Sequence, residues 1–174
     1  MATATHTTPI GVLTLSASEA GVTRVRFANS RTVRTTTRDE GSAQAWSVLD
    51  RLRAELDEYL AGRRTRFDVS VDLGRVDGER RRVLETLRAT VAHGETTTYG
   101  ALAERAGLTG AGALRVGGFM AGNPVLIVVP CHRVVGADGS LTGYRGGVEV
   151  KRRLLDLERA AGAPGQLTLD LPAA

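Results

Sequence analysis

An α+β fold, a small α/β unit followed by a helical one, is predicted for this chain by three observations. Apolar and polar residues alternate near the N-terminus, a long helical apolar face follows, and from Asp77 onward the pattern turns to short helices broken by glycine. At 174 residues the chain suits one domain, or two small ones sharing a surface. Hydrophobic residues make up 42%, enough to bury a core and to argue against disorder of the body.

Taken in order, "TTPIGVLTLSASEAGVTRVRF" alternates and breaks at Glu19-Ala20-Gly21, predicting a hairpin over about 9–27. The polar "NSRTVRTTTRDEGS" predicts an exposed loop. In "AQAWSVLDRLRAELDEYLAGRR", residues Trp46, Leu49, Leu52, Leu56, Tyr59 and Leu60 share one helical face, with Gly62 as the stop. "TRFDVSVDL" alternates again and predicts a third strand. In the second part, "DGERRRVLETLRATVAHG" sets Val83, Leu84, Leu87 and Val91 at helical spacing, with Asp77 as N-cap and Gly94 after the end. "TTTYGALAERAG" predicts a short helix capped by Thr97 or Thr98, and "LTGAGALRVGGFMAGNP" a second after a glycine turn, a helix-turn-helix pattern. "LIVV" predicts a short buried strand, "GADGSLTGY" turns, and "GVEVKRRLLDLERAAG" a last amphipathic helix before a loose tail.

A formal net charge of +4 and a pI of about 10.0 admit nucleic acid as a partner without establishing it. Nearly all the positive charge is arginine, Lys151 being the sole lysine. One cysteine excludes an internal disulfide framework and any cysteine-rich zinc site, and it suits a reducing compartment. The first residues lack the basic start and apolar core of a secretion signal, and no apolar run approaches membrane-spanning length. The expectation is a soluble cytoplasmic protein without membrane contact.

That single cysteine, Cys131, stands between Pro130 and His132. A lone cysteine is either a small buried hydrophobe or a nucleophile. Here Pro130 helps end the apolar run so the chain can turn and present the thiol. His132 can take its proton directly or through one water. A histidine base needs a third group to hold its tautomer, and among the acids of the final helix Glu158 is favoured.

The segment "VPCHRVV", followed by "GSLTGYRGG" and "KRRLLDLE", resembles the O6-alkylguanine-DNA alkyltransferases, the methylated-DNA–protein-cysteine methyltransferase family. "NP" before the cysteine, "GETTTYGALAERAG" and "TPIGVLTLSASEAGVTRVRF" fit the same family in order and spacing, over roughly residues 8–162. The resemblance implies a ribonuclease-H-like α/β roll over 1–74. After it come a winged-helix-like DNA-binding and active-site domain with a helix-turn-helix over 75–164, and a flexible tail over 165–174. It implies a protein that binds duplex DNA through the minor groove and swings O6-alkylguanine out of the stack, since the reacting atom is otherwise unreachable; a monomer is the default expectation. The alkyl group passes irreversibly to the cysteine in a single turnover, with no cofactor and no metal. A relative that binds alkylated DNA without transfer, or a cysteine hydrolase or redox thiol unrelated to DNA, are the alternatives.

By position, the resemblance makes Cys131 the alkyl acceptor, His132 the water-mediated base and Glu158 its orienting group, where a solvated glutamate is the plain alternative. Asn123 becomes a hinge tying the helix-turn-helix to the active segment, or simply a turn former. Tyr144 becomes a hydrogen-bond donor to the purine, or core packing. Gly146 and Gly147 admit the base closely, or form a bare turn. Val134 and Val135 offer backbone groups to the guanine edge, or fill a strand. Tyr99 crowds the target phosphate, or staples a surface. Arg133 anchors the loop; Arg152 and Arg153 face solvent. The family fills the vacated stack with an arginine two residues before its "VGG"-like stretch. Here Arg115 directly precedes "VGG" and Leu114 holds the neighbouring place, a shift of about 100° around a helix, so Arg115 becomes that finger in the duplex if the turn between the helices absorbs one extra residue. The segment entering the helical part lacks the aromatic-Gln start and tryptophan common there, and Leu126 stands where many relatives carry proline.

Overall fold

The computed structural model describes residues 1–28 and 35–162. The tail expected over 165–174 and the loop residues 29–34 lie outside the described residues. Strands β1 (Ala2–Thr8), β2 (Gly11–Ala17) and β3 (Val22–Phe27) form an antiparallel meander. Ala2, Ala4, Leu13, Leu15, Ala17, Val22 and Val25 turn inward against α1 (Ala43–Leu60), which buries Ala45, Trp46, Leu49, Leu52, Leu56 and Tyr59. A register shift at Ser16/Ala17 lets Val22 and Val25, three apart, both face the core. The predicted hairpin and helix are there.

Strand β1 is absent from the sequence-based reading. Its inward positions are only alanine and threonine, too weakly apolar to signal, and it forms by pairing with β2 along its whole length. The third strand predicted from "TRFDVSVDL" does not form; a single bridge joins Val71 to Val22. Two of its amides are spoken for, because the backbone N–H groups of Asp68 and Val69 donate to Oε2 of the buried Glu55, at 2.9 and 3.1 Å. A strand cannot ladder with donors committed elsewhere.

The second part is helical, as expected. Asp77 caps α2 (Gly78–Thr90), its Oδ1 accepting from Arg80 N at 3.0 Å. After β4 (Thr97–Thr98), Thr98 rather than Thr97 caps α3 (Tyr99–Arg105). A turn with Gly107 and Gly110 at φ +69 and +64 leads into α4 (Gly112–Ala121), completing the helix-turn-helix. The "LIVV" segment is buried but is not a strand. Val125 bridges to Val25 of β3, Leu126 to Val129, and the chain reverses between them, with Ile127 at φ +71. One bridge stitches the two units together before the chain folds back: Val25 N donates to Pro124 O, and Leu126 N to Val25 O. A 3₁₀ turn over Cys131–Arg133 follows, then β5 (Val134–Val135), parallel to β4, and α5 (Val148–Gly162). No described helix is long and apolar enough to cross a membrane.

Candidate active site

Asn123 builds the reversal that delivers the cysteine. Fully buried, it accepts from Val125 N at 3.0 Å and donates through Nδ2 to Val129 O at 2.9 Å. Cys131 N then donates to Val129 O, which carries the thiol into the 3₁₀ turn. Cys131 is 5% exposed. Burial pushes its thiol up to about 11, against the opposing pull of a hydrogen bond with Asn123 and the charge of Lys151. Ionisation therefore needs a base and a counter-charge.

Both are in place. His132 is fully buried, and its Nε2 lies 2.9 Å from Glu158 Oε1. Burial disfavours ionising Glu158, but hydrogen bonds from His132 and Arg133 prevail and hold the carboxyl well below the usual range. A carboxylate accepts only, so Nε2 carries the hydrogen and Nδ1 keeps a lone pair. That Nδ1 is buried and has no protein partner. Burial also lowers the His132 pKa, leaving the ring neutral and able to accept a proton at neutral pH.

Glu158 is held from several sides. Arg133 Nη2 donates to Oε1 at 2.9 Å and Nε to Oε2 at 3.0 Å, while Nη1 ties the same guanidinium to Val91 O at 2.8 Å. Gly94 N donates to Oε2 at 3.0 Å. Tyr59, reaching across from α1, donates to Oε1 at 2.5 Å. Tyr59 was foreseen only as core. Nothing in the spacing of a leucine-rich face marks one tyrosine as polar in purpose.

Lys151 went unassigned in the sequence, though being the sole lysine among arginines was a signal. It is fully buried and donates from Nζ to Val134 O at 2.6 Å and Thr142 O at 3.0 Å. Burial lowers its pKa and charge on Cys131 raises it, so thiolate and ammonium stabilise one another.

A cavity of about 730 Å³ opens beside this cluster, lined by Tyr99, Leu114, Gly117, Thr142, Tyr144 and Arg145 among others. Tyr144 belongs to both places: its ring stands edge-on to His132 at 6.4 Å, and charge on Cys131 helps raise its pKa after burial. Its hydroxyl is buried and has no partner among the described residues. Tyr99 reaches Thr142 O and Oγ1 at 3.4 Å across the rim. Gly146 admits no side chain, since a Cβ would run into the Phe27 ring, and Gly147 sits at φ +90. Val134 and Val135 pair with Thr97 and Thr98, and the Val134 carbonyl already receives Lys151. Arg152 and Arg153 face solvent and pair with Glu149. Arg115 is not brought to the cavity: its guanidinium donates to Glu79 Oε1 at 2.8 Å and Thr109 O at 2.9 Å.

Comparison with known proteins finds relatives over nearly the whole chain. Residues 1–73 match the family described as 6-O-methylguanine DNA methyltransferase, ribonuclease-like domain, and residues 79–160 its DNA binding domain. A methylated-DNA–protein-cysteine methyltransferase of Mycolicibacterium paratuberculosis is 42% identical over 165 residues, 92% of this chain and 93% of that one. The Mycobacterium tuberculosis protein of the same name is 43% identical, with the same shares covered. The crystal structure of the M. tuberculosis O6-methylguanine methyltransferase superposes with a TM-score of 0.77 at 40% identity, covering 97% of this chain and 98% of that one. A second structure, of that organism's protein in complex with DNA, gives 0.76 at 42% identity over 90% and 92%. At such identity over nearly the full length, with the α+β architecture shared, this chain belongs to the 6-O-methylguanine DNA methyltransferase family.

Proposed function

We propose that this protein repairs DNA by taking the alkyl group of O6-alkylguanine onto Cys131, permanently and once per molecule. The observation that carries the chemistry is the tautomer lock: Glu158 holds Nε2–H of His132, leaving a buried Nδ1, without a partner among the described residues, to accept the thiol proton through one water. The thiolate, stabilised by the charge of the Lys151 ammonium, attacks the alkyl carbon. The S–C bond forms as the C–O6 bond breaks, the electron pair leaves with the guanine oxygen, and the purine anion takes up at nitrogen the proton that His132 accepted from the thiol. The product is a thioether with no nucleophile placed to cleave it.

The base arrives extruded from duplex DNA entered through the minor groove. Tyr144 donates to the purine, Gly146 and Gly147 and the backbone of Val134 and Val135 receive its edges, and Tyr99 crowds the neighbouring phosphate. Asn123 positions the cysteine turn. Arg115 serves the interface by bracing α4 through Glu79. Residues 1–74 support the site and 75–164 carry it; the protein acts as a cytoplasmic monomer. The test is incubation with duplex DNA bearing radiolabelled O6-methylguanine. Label should appear on Cys131, at one per molecule by mass spectrometry, and not on Cys131→Ala, which should still bind the DNA. Tight binding without label overturns transfer.

A further inference from the structure

The largest exposed apolar side chain on the helix-turn-helix is Leu114, 79% accessible on the second helix. Exposing it has no folding benefit, because a leucine gains stability only when buried. It stands at the rim of the cavity, with Ala113, Gly117 and Ala121 of the same helix lining the wall beside it. A leucine thus projects from a cavity-facing side of the helix otherwise made of alanine and glycine. A surface of that shape can approach a groove closely with one protrusion leading. Apolar wedges of this size enter DNA from the minor groove and separate stacked bases.

Its neighbour cannot do this without first breaking bonds. Arg115 is fixed on α2 by Glu79 and on the inter-helix turn by the Thr109 carbonyl, about 100° around the helix from Leu114. Leu114 has no such tether. We infer that Leu114 is the wedge that enters the base stack and holds open the place vacated by the extruded nucleotide, while Arg115 anchors the helix that carries it. An apolar wedge offers no hydrogen bond to the orphaned partner base, so it works through stacking and exclusion of water alone. The consequence is indifference to which base sits opposite the lesion.

This inference rests on the proposed alkyl transfer, and the test separates the two. Single-turnover transfer is measured on duplex DNA bearing O6-methylguanine and on the same oligonucleotide without its complement, where no stack has to be held open. For Leu114→Ala the ratio of duplex to single-strand rates should fall at least about ten-fold relative to wild type, since unstacking costs a few kcal/mol. Leu114→Phe, still apolar and bulky, should restore most of the ratio. An unchanged ratio for Leu114→Ala overturns the wedge, as does a ten-fold fall for Arg115→Ala that Leu114→Ala does not match. Absence of transfer by the wild-type protein on both substrates would instead overturn the repair function itself. A solvent-exposed leucine is not needed for folding, so thermal melting of Leu114→Ala should overlay the wild type.

Discussion

Replacing Glu158 by glutamine should destabilise the protein and remove the base from the reaction together. The side chain is fully buried, and so is the ring of His132, while the Arg133 side chain is 9% exposed, so water cannot take over the lost contacts. Glutamine keeps the shape but removes the charge facing Arg133, and it turns an amide N–H₂ toward groups that themselves donate: Tyr59 O–H, His132 Nε2–H, Arg133 or Gly94 N–H. Breaking a buried pair by removing one partner costs about 3–5 kcal/mol. For a chain of this size that corresponds to a fall in Tm of roughly 6–20 °C. His132 loses its tautomer lock as well, so single-turnover transfer should slow about 10²–10⁴-fold, the usual worth of a positioned base. Tyr59→Phe is the control. It removes one donor, costs about 1–2 kcal/mol, and leaves the His132–Glu158 bond intact, so the rate should change far less. Denaturant unfolding and a quench-flow measurement of label transfer give both quantities. A loss below about 1 kcal/mol, or a Tyr59→Phe rate as low as that of Glu158→Gln, would refute the assignment of Glu158 as the group that orients His132.

Tyr144→Phe should leave stability unchanged or raise it slightly, because it removes a buried hydroxyl that has no partner, yet it should slow transfer to duplex DNA; destabilisation beyond about 1 kcal/mol would show that the hydroxyl already has a structural bond. Stability should fall as pH drops below 6.5. His132 is held below that value in the folded chain, so the unfolded chain binds the proton first, and Glu158 adds a second loss below 4.5. Melting temperatures from pH 7 down to 4 check this, a flat profile counting against it. At the alkaline end, the Cys131 thiol ionises near 9.0 when unfolded and at about 11 when folded, so its contribution is present below pH 9 and lost as pH rises toward 11. Cys131→Ala should flatten that limb.

Much of this was legible because the chemistry is local in the chain. Cys131, His132 and Arg133 are consecutive, and Glu158 lies on a helix with a strong signal, whereas Asn123 gains its role in the sequence only through the family resemblance. The hairpin, α1 and the helix-turn-helix followed from periodicity and glycine. What the sequence concealed depends on distant commitments of backbone and side chain. Nothing in "TRFDVSVDL" reveals that Glu55 takes two of its amides, and "LIVV" looks like any buried strand until Asn123 folds it back. The alanine-threonine run of β1 carries almost no apolar contrast. Tyr59 and Lys151 were hidden for a related reason: each is a polar tip on an apolar stem, and only the partner it reaches, some 99 residues away for Tyr59 and Glu158, gives the tip a purpose.

The tyrosine bridge has a consequence for how the two halves depend on one another. A phenol from the first helix completes the coordination of a carboxylate in the last, so the reactive centre is finished only when the front of the chain has docked on the back. A severed rear half would retain cysteine, histidine and glutamate in sequence, yet its acid would face the gap left by Tyr59 and draw in solvent. The front half therefore shields the carboxylate on which the rear half's histidine leans, although it contributes no reacting atom.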